Sequence, residues 1–269
     1  MQRGTDFLGC ETAIMCGAMS WVSERNLVSA ISNAGGFGVI ACGAMTPDLL
    51  DTEIAETMKR TDKPFGVNLI TMHPDLMDLI AVCGKHQVTH VVLAGGLPPK
   101  GSLEAIKGGH IGPVSTSVLA QEILPEIAAQ LPVFVAGGIG TGEMIAAYLE
   151  MGASGVQLGT RFVCAHESIA HPDFKKAFIR GNARDAITSV QVDPRLPVIP
   201  VRALKNKGTE EFTRKQIEVA KLLDSGEIEM GEAQLQIEHF WAGALRKAVI
   251  NGDIEYGSVM AGQSVGMVK

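Results

Sequence analysis

One histidine stands among glycines, in Gly108-Gly109-His110-Ile111-Gly112. Glycines on both sides let a planar ligand come close. An imidazole there can take a proton from an acidic C–H or donate a hydrogen bond to a developing anion. The other six histidines, His73, His86, His90, His166, His171 and His239, lie in helical or polar contexts. His110 is therefore the candidate catalytic residue, weighed against a plain turn histidine.

A second signal runs from Val135 to Gly142, VAGGIGTG. Gly137 and Gly138 follow an apolar run, and Thr141-Gly142 open a helix. Backbone N–H groups bare of side chains, added to a helix dipole, make a phosphate cradle. The spacing is neither G-x-G-x-x-G nor a P-loop with its lysine. Gln157-Leu-Gly-Thr-Arg-Phe162 repeats the device one unit later, with Gly159 and Thr160. The simpler alternative for each is a tight turn. Asn68 sits in an apolar run, where a buried amide needs partners. It could bond backbone or read the edge of a heterocycle. Gly95 closes another apolar run, at the end where parallel strands present ligands. No His/Cys/carboxylate cluster has metal-ligand spacing, and no G-x-S-x-G elbow or Cys–His signature occurs. Trp21 and Trp241 suit core or pocket wall.

These residues need a scaffold. Short apolar runs at 13–19, 37–43, 64–70, 89–96, 132–140 and 154–162 read as strands. Amphipathic stretches between them read as helices. Ser23 is the expected cap of the first, and Thr46-Pro47 caps the second. Continuous apolar strands alternating with helices form a parallel sheet covered on both faces. This predicts an α/β fold, a (β/α)₈ TIM barrel, with ligands at the strand C-termini. The runs give six strands where the barrel needs eight. The helix-like Ser102–Lys107 enters the Gly108-Gly109 turn with no strand between. The count predicts that two barrel strands are missing near residues 106–109; the alternative is a complete six-stranded open sheet. From Ala165 the pattern turns polar and helical. We expect a barrel of residues 1–164, a small, mostly helical substrate domain at 165–237, and a return to the barrel over 238–269.

Composition narrows the function classes. The 269 residues are 46% hydrophobic with a net charge of −6 and no basic stripe, which argues against nucleic acid or an anionic membrane. No run reaches the roughly 18 apolar residues of a membrane span, and the start lacks a signal-peptide core. Five cysteines without a C-x-x-C pair read as reduced thiols, so the expected location is cytoplasmic.

Several segments carry a family resemblance: CGAMSWVSERNLVSAISNAGGFGVIACG, TDKPFGVNL, GGHIG, VAGGIGTG, GVQLGTRF and GSVMAGQSVGM. Together they resemble the nitronate monooxygenases, once called 2-nitropropane dioxygenases, a family that includes the flavin-type enoyl-acyl-carrier-protein reductases. The resemblance implies an FMN-binding barrel with a small helical domain, and two more strands before Gly108. It implies that His110 is catalytic and that Gly137, Gly138, Gly159 and Thr160 hold the flavin phosphate. It further implies that Ala18 and Met19 lie under the ring, that Asn68 meets its edge and that Gln263 reaches it from the C-terminal segment. Cys16 departs from the family's common Gln or Gly. Ile111 matches the reductases, whereas several nitronate enzymes carry a larger or charged residue. The leading expectation is oxidation of an alkyl nitronate with O₂. The alternative is an enoyl-thioester reductase with NAD(P)H as co-substrate. A small-molecule substrate is implied, and a homodimer is the candidate assembly.

Overall fold

A computed structural model describes residues 1–70, 73–94, 114–196, 198 and 201–268. Gly95, His110 and the 106–109 junction lie outside the described residues. The described residues form two compact units, one of 1–94 with 114–169 and one of 170–268.

The first unit opens with helix α1 (Gln2–Leu8), which the polar start of the sequence had not suggested. Strands β1 (Ile14–Cys16), β2 (Gly38–Ala41), β3 (Phe65–Ile70), β4 (His90–Ala94), β5 (Phe134–Ala136) and β6 (Gly155–Leu158) fall inside the six apolar runs. Helices α2 (Arg25–Asn33), α3 (Pro47–Met58), α4 (Leu76–Lys85), α5 (Thr116–Ile127), α6 (Gly142–Glu150) and the single turn α7 (Thr160–Val163) separate or follow them. Thr46 caps α3 as expected, its hydroxyl accepting from the Leu49 N–H at 3.3 Å. Ser23 does not cap α2. Its hydroxyl is taken up in the preceding turn, accepting from the Met19 N–H and donating to the Gly17 carbonyl. Glu24 caps instead, accepting from the N–H groups of Asn26 and Leu27.

All strand pairs in this unit are parallel. The order runs β2-β3-β4 in one ladder and β1-β6-β5 in the other. A parallel bridge between Met15 and Phe37 joins them, with Cys16 N–H donating to the Phe37 carbonyl and Phe37 N–H to that of Ile14. The last strand thus lies beside the first, and the rest follow in chain order. The described α/β sheet is β5-β6-β1-β2-β3-β4, with β4 and β5 at its edges. Val28, Ile40, Leu50, Ile54, Val67 and Leu79 fill one core between sheet and helices. Ala120, Leu124, Val135, Tyr148 and Val156 fill a second.

The second unit holds α8 (Pro172–Arg180), the antiparallel pair β7 (Ala186–Thr188) and β8 (Arg202–Leu204), and the long helices α9 (Lys207–Ser225) and α10 (Met230–Asn251). A short 3₁₀ turn, Gln263–Met267, ends it. The hairpin is a finding beyond the helical expectation. The division falls after Ile169 rather than 164, and residues 238–269 group with this unit rather than with the strands of the first. The reason is local. Helix α10 runs unbroken through 238 to its left-handed Gly252 cap. The following segment then bonds back onto β8, with Leu204 N–H donating to the Val259 carbonyl and Ala261 N–H to that of Arg202.

Candidate functional site

Parallel strands all point the same way, so the residues after them share one rim. That rim gathers most of the residues expected to bind cofactor. Gly137 and Gly138 follow β5 with φ of 99° and 73°. These left-handed values strain any side-chain-bearing residue. Both glycines are exposed, and a Cβ on Gly138 would meet nothing within 4 Å. Among the described residues no acceptor takes the N–H of Gly138 or Ile139. Thr141 then caps α6, accepting from the Met144 N–H at 3.3 Å. This is open backbone at a helix start, the arrangement an anion needs.

Gly159 ends the neighbouring β6 and leads into α7 with Thr160 at its first position. A Cβ on Gly159 would lie 3.6 Å from the Met19 sulfur, in the turn after β1. That turn is held tightly. Gly17 N–H donates to the Leu158 carbonyl, and Val22 and Ser23 N–H groups both donate to that of Met19. Ala18 and Met19 are half-buried there. The loops after β5, β6 and β1 are thus consecutive along the rim.

Asn68 is buried in β3, registered between Ala41 and Val92. Its side-chain amide donates to the Val92 carbonyl at 3.3 Å, so one donor goes to backbone. Its own carbonyl accepts from the Cys42 thiol at 2.7 Å. Gln263 opens the 3₁₀ turn of the second unit and is exposed.

Sequence reading missed the hollow beside this rim. It measures about 500 Å³ and lies at the ends of β1 and β2, walled by Trp21, Ala41, Ala44 and Met45. Trp21 stands at φ 66°, a strained value for a bulky residue, so it suits the pocket-wall role expected of it. Arg25 and Glu53, also in the wall, form a pair that spacing alone does not reveal. The Arg25 Nε donates to both Glu53 carboxylate oxygens at 3.1 and 3.0 Å, and its backbone N–H to one of them at 3.1 Å. This ties the start of α2 to α3. Burial pushes the Glu24 carboxyl up, against the downward pull of the Asn26 and Leu27 N–H groups. Burial likewise pushes the Cys16 thiol up to about 12 and the Cys42 thiol up to about 11. Neither thiol is a nucleophile near neutrality.

Glycine turns with open backbone on the rim of a parallel sheet mark an α/β protein. The chain belongs to the nitronate monooxygenase family, whose model matches residues 2–94 and 103–269. Three relatives illustrate the range. From Rhodococcus jostii, a (3aS,4S,5R,7aS)-5-hydroxy-7a-methyl-1-oxo-octahydro-1H-indene-4-carboxyl-CoA dehydrogenase is 32% identical over 222 residues, 70% of this chain but only 62% of the relative. A Staphylococcus saprophyticus protein named "Probable nitronate monooxygenase" is 24% identical, over 99% of this chain and 93% of its own. That pairing runs over 346 residues, more than this chain's 269, so it opens gaps in this chain. The structure of FabK from Thermotoga maritima superposes with a TM-score of 0.81 and 34% identity, covering 99% of this chain and 90% of FabK. The family is one of oxidoreductases by the names its members carry. No helix among the described residues is long and apolar enough to cross a membrane.

Proposed function

We propose that the chain is an FMN-dependent oxidoreductase on a (β/α)₈ barrel, acting on alkyl nitronates with O₂. One observation carries this reading: the strand order puts the glycine turns after β5 and β6 beside the Ala18-Met19 turn after β1. The pairing of last strand with first is what a closed barrel requires, and its phosphate site is commonly built from the last two loops. Among the described residues the order is broken between β4 and β5, and the family match is interrupted over 95–102. The second match runs from 103 through the 106–109 junction, so the two missing strands rest on the strand count and not on this break.

The residues fit the group. Gly137 and Gly138, with Gly159 and Thr160, would hold the phosphate; Ala18 and Met19 would underlie the ring; Asn68 would approach its edge. FMN supplies the electron-transfer chemistry when bound. His110 would deprotonate the nitroalkane or hold a hydrogen bond to its anion. The Trp21 wall would shield the substrate from water. A small-molecule substrate and a cytoplasmic setting accompany this reading.

A second reading has a specific observation in its favour. The 34% identity to FabK, and Ile111 after His110, support an enoyl-thioester reductase using NAD(P)H. Stopped-flow mixing of the flavin-loaded protein under nitrogen separates the two. Fast flavin bleaching by a nitronate and slow bleaching by NADPH supports the oxidase reading; the reverse sinks it.

A further inference from the structure

We infer that the second unit carries a small-molecule site of its own, a cavity for a medium-length acyl group whose carbonyl oxygen accepts from the Ser258 hydroxyl. This inference is independent of the flavin reading, because every lining residue belongs to the second unit. The cavity measures about 290 Å³ and lies among α9, α10 and the β7-β8 hairpin. Its wall is mainly apolar and aromatic. Phe212 stacks on Phe240 at 5.7 Å between centroids, and Trp241 tilts against Phe212 at 5.1 Å. Such a surface gains most from an aliphatic chain or a flat ring.

Ser258 is the anomaly in this wall. It is only 6% exposed, and its hydroxyl has no hydrogen-bond partner among the described residues. Its backbone is pinned, since its N–H donates to the Ala244 carbonyl of α10 at 2.9 Å. Buried hydroxyls almost always find a partner. A ligand oxygen accepting from Ser258 completes the site.

The acyl carbonyl could come from a thioester or from a free fatty acid. Calorimetric titration of the full flavin-loaded protein with the N-acetylcysteamine thioester of octanoic acid, and with octanoate, distinguishes the sources. Saturable binding of either that Ala244→Phe abolishes supports the site, and the tighter probe names the source; binding that Ala244→Phe leaves intact lies elsewhere and overturns it. Saturated chains offer no double bond to reduce, so failure of the flavin reading would leave this test standing. Affinity should rise roughly fourfold per added methylene and then stop when the cavity is full. Ser258→Ala should weaken binding roughly fivefold, the net worth of one hydrogen bond, without lowering the melting temperature of the ligand-free protein. Ala244→Phe should fill the cavity and abolish binding with far-UV circular dichroism unchanged. No saturable binding of either probe, or Ser258→Ala binding as tightly as the native chain, overturns the inference. If Ser258→Ala fails to fold, Ala244→Phe decides: retained affinity in that variant overturns it.

Discussion

Met19 and Gly159 meet across the ends of the first and last strands of the first unit, with 3.6 Å between the Met19 sulfur and a Cβ built on Gly159. That is ordinary contact, so Gly159→Ala should fold with stability within about 0.5 kcal/mol of the native chain. Gly138 is the opposite case. Space is open around it, but its φ of 73° strains any L-residue, by about 1–2 kcal/mol. Gly138→Val should therefore distort the cradle and yield mostly flavin-free protein, while Gly159→Ala, folded but with a methyl on backbone assigned to the phosphate, should load less flavin than the native chain. Released flavin measured by chromatography checks both, and should run as FMN. Full loading of Gly138→Val would place the phosphate elsewhere.

Arg25→Ala removes the partner of a carboxylate that is only 7% exposed. Glu53 would keep its burial and lose its charge compensation. Breaking a buried pair costs about 3–5 kcal/mol, and the quarter-exposed Arg25 side chain brings the expected loss down to about 2–3 kcal/mol. Urea unfolding of the single variants and of Arg25→Ala/Glu53→Gln tests it. The double variant should recover part of the loss; strict additivity would mean that the pair contributes nothing.

The thiols give a pH-dependent expectation. With its value pushed up to about 12, Cys16 is thiolate in only about one molecule in 10⁴ at pH 8. Cys16 and Cys42 should resist iodoacetamide at pH 8 in the folded protein and react once it is unfolded in urea. The unfolded chain ionises first, near 8.5, so stability should fall as pH rises from there toward 12. Peptide mass spectrometry after timed alkylation reads the difference. Fast labelling of Cys16 in the native protein would contradict its burial.

Why some of this was legible and some was not follows from the range of each interaction. β2 and β3 announce themselves because a strand buried on both faces must be a continuous apolar run, and the other four carry short apolar runs as well. The Thr46-Pro47 helix start is equally local. The Ser23 cap failed because a serine hydroxyl can bond the turn before it as easily as the helix after it, and the choice was made by Gly17 and Met19. Arg25–Glu53 and the β7-β8 hairpin join residues distant in sequence, with no periodicity to mark them. The glycine turns were readable, but that they share a rim with Met19 depends on the last strand pairing with the first. His110 and Gly95 rest on the sequence alone.

His110→Ala should keep FMN and lose turnover. Phosphate and ring contacts would hold the cofactor, whereas the imidazole is assigned to the substrate. General acid/base groups contribute about 10²–10⁴-fold, so kcat/KM should fall by that factor. Steady-state rates with a nitronate and with an enoyl thioester, each beside the flavin content, test it. Activity within threefold of the native enzyme on its better substrate would return His110 to a turn residue.

Strand β4 gives the last expectation. Val67 and Leu69 of β3 are 0% and 1% exposed, yet their registered neighbours Val91 and Leu93 on β4 are 43% and 65% exposed. The same sheet face is thus covered by helices at β3 and bare one strand further on. Among the described residues β4 pairs only with β3. An edge strand with exposed apolar side chains is a template for another chain. We propose this edge as the seat of the candidate homodimer where no further strand closes it, the alternative to the closed barrel proposed above. Sedimentation velocity over a concentration series should show the chain associating. Leu93→Lys should remove that association, because a charge on an edge strand opposes pairing. The substitution falls on an exposed position, so the unfolding free energy should change by no more than about 0.5 kcal/mol. A native chain that stays monomeric throughout, or a Leu93→Lys variant that associates equally well, would show that this edge is closed in solution.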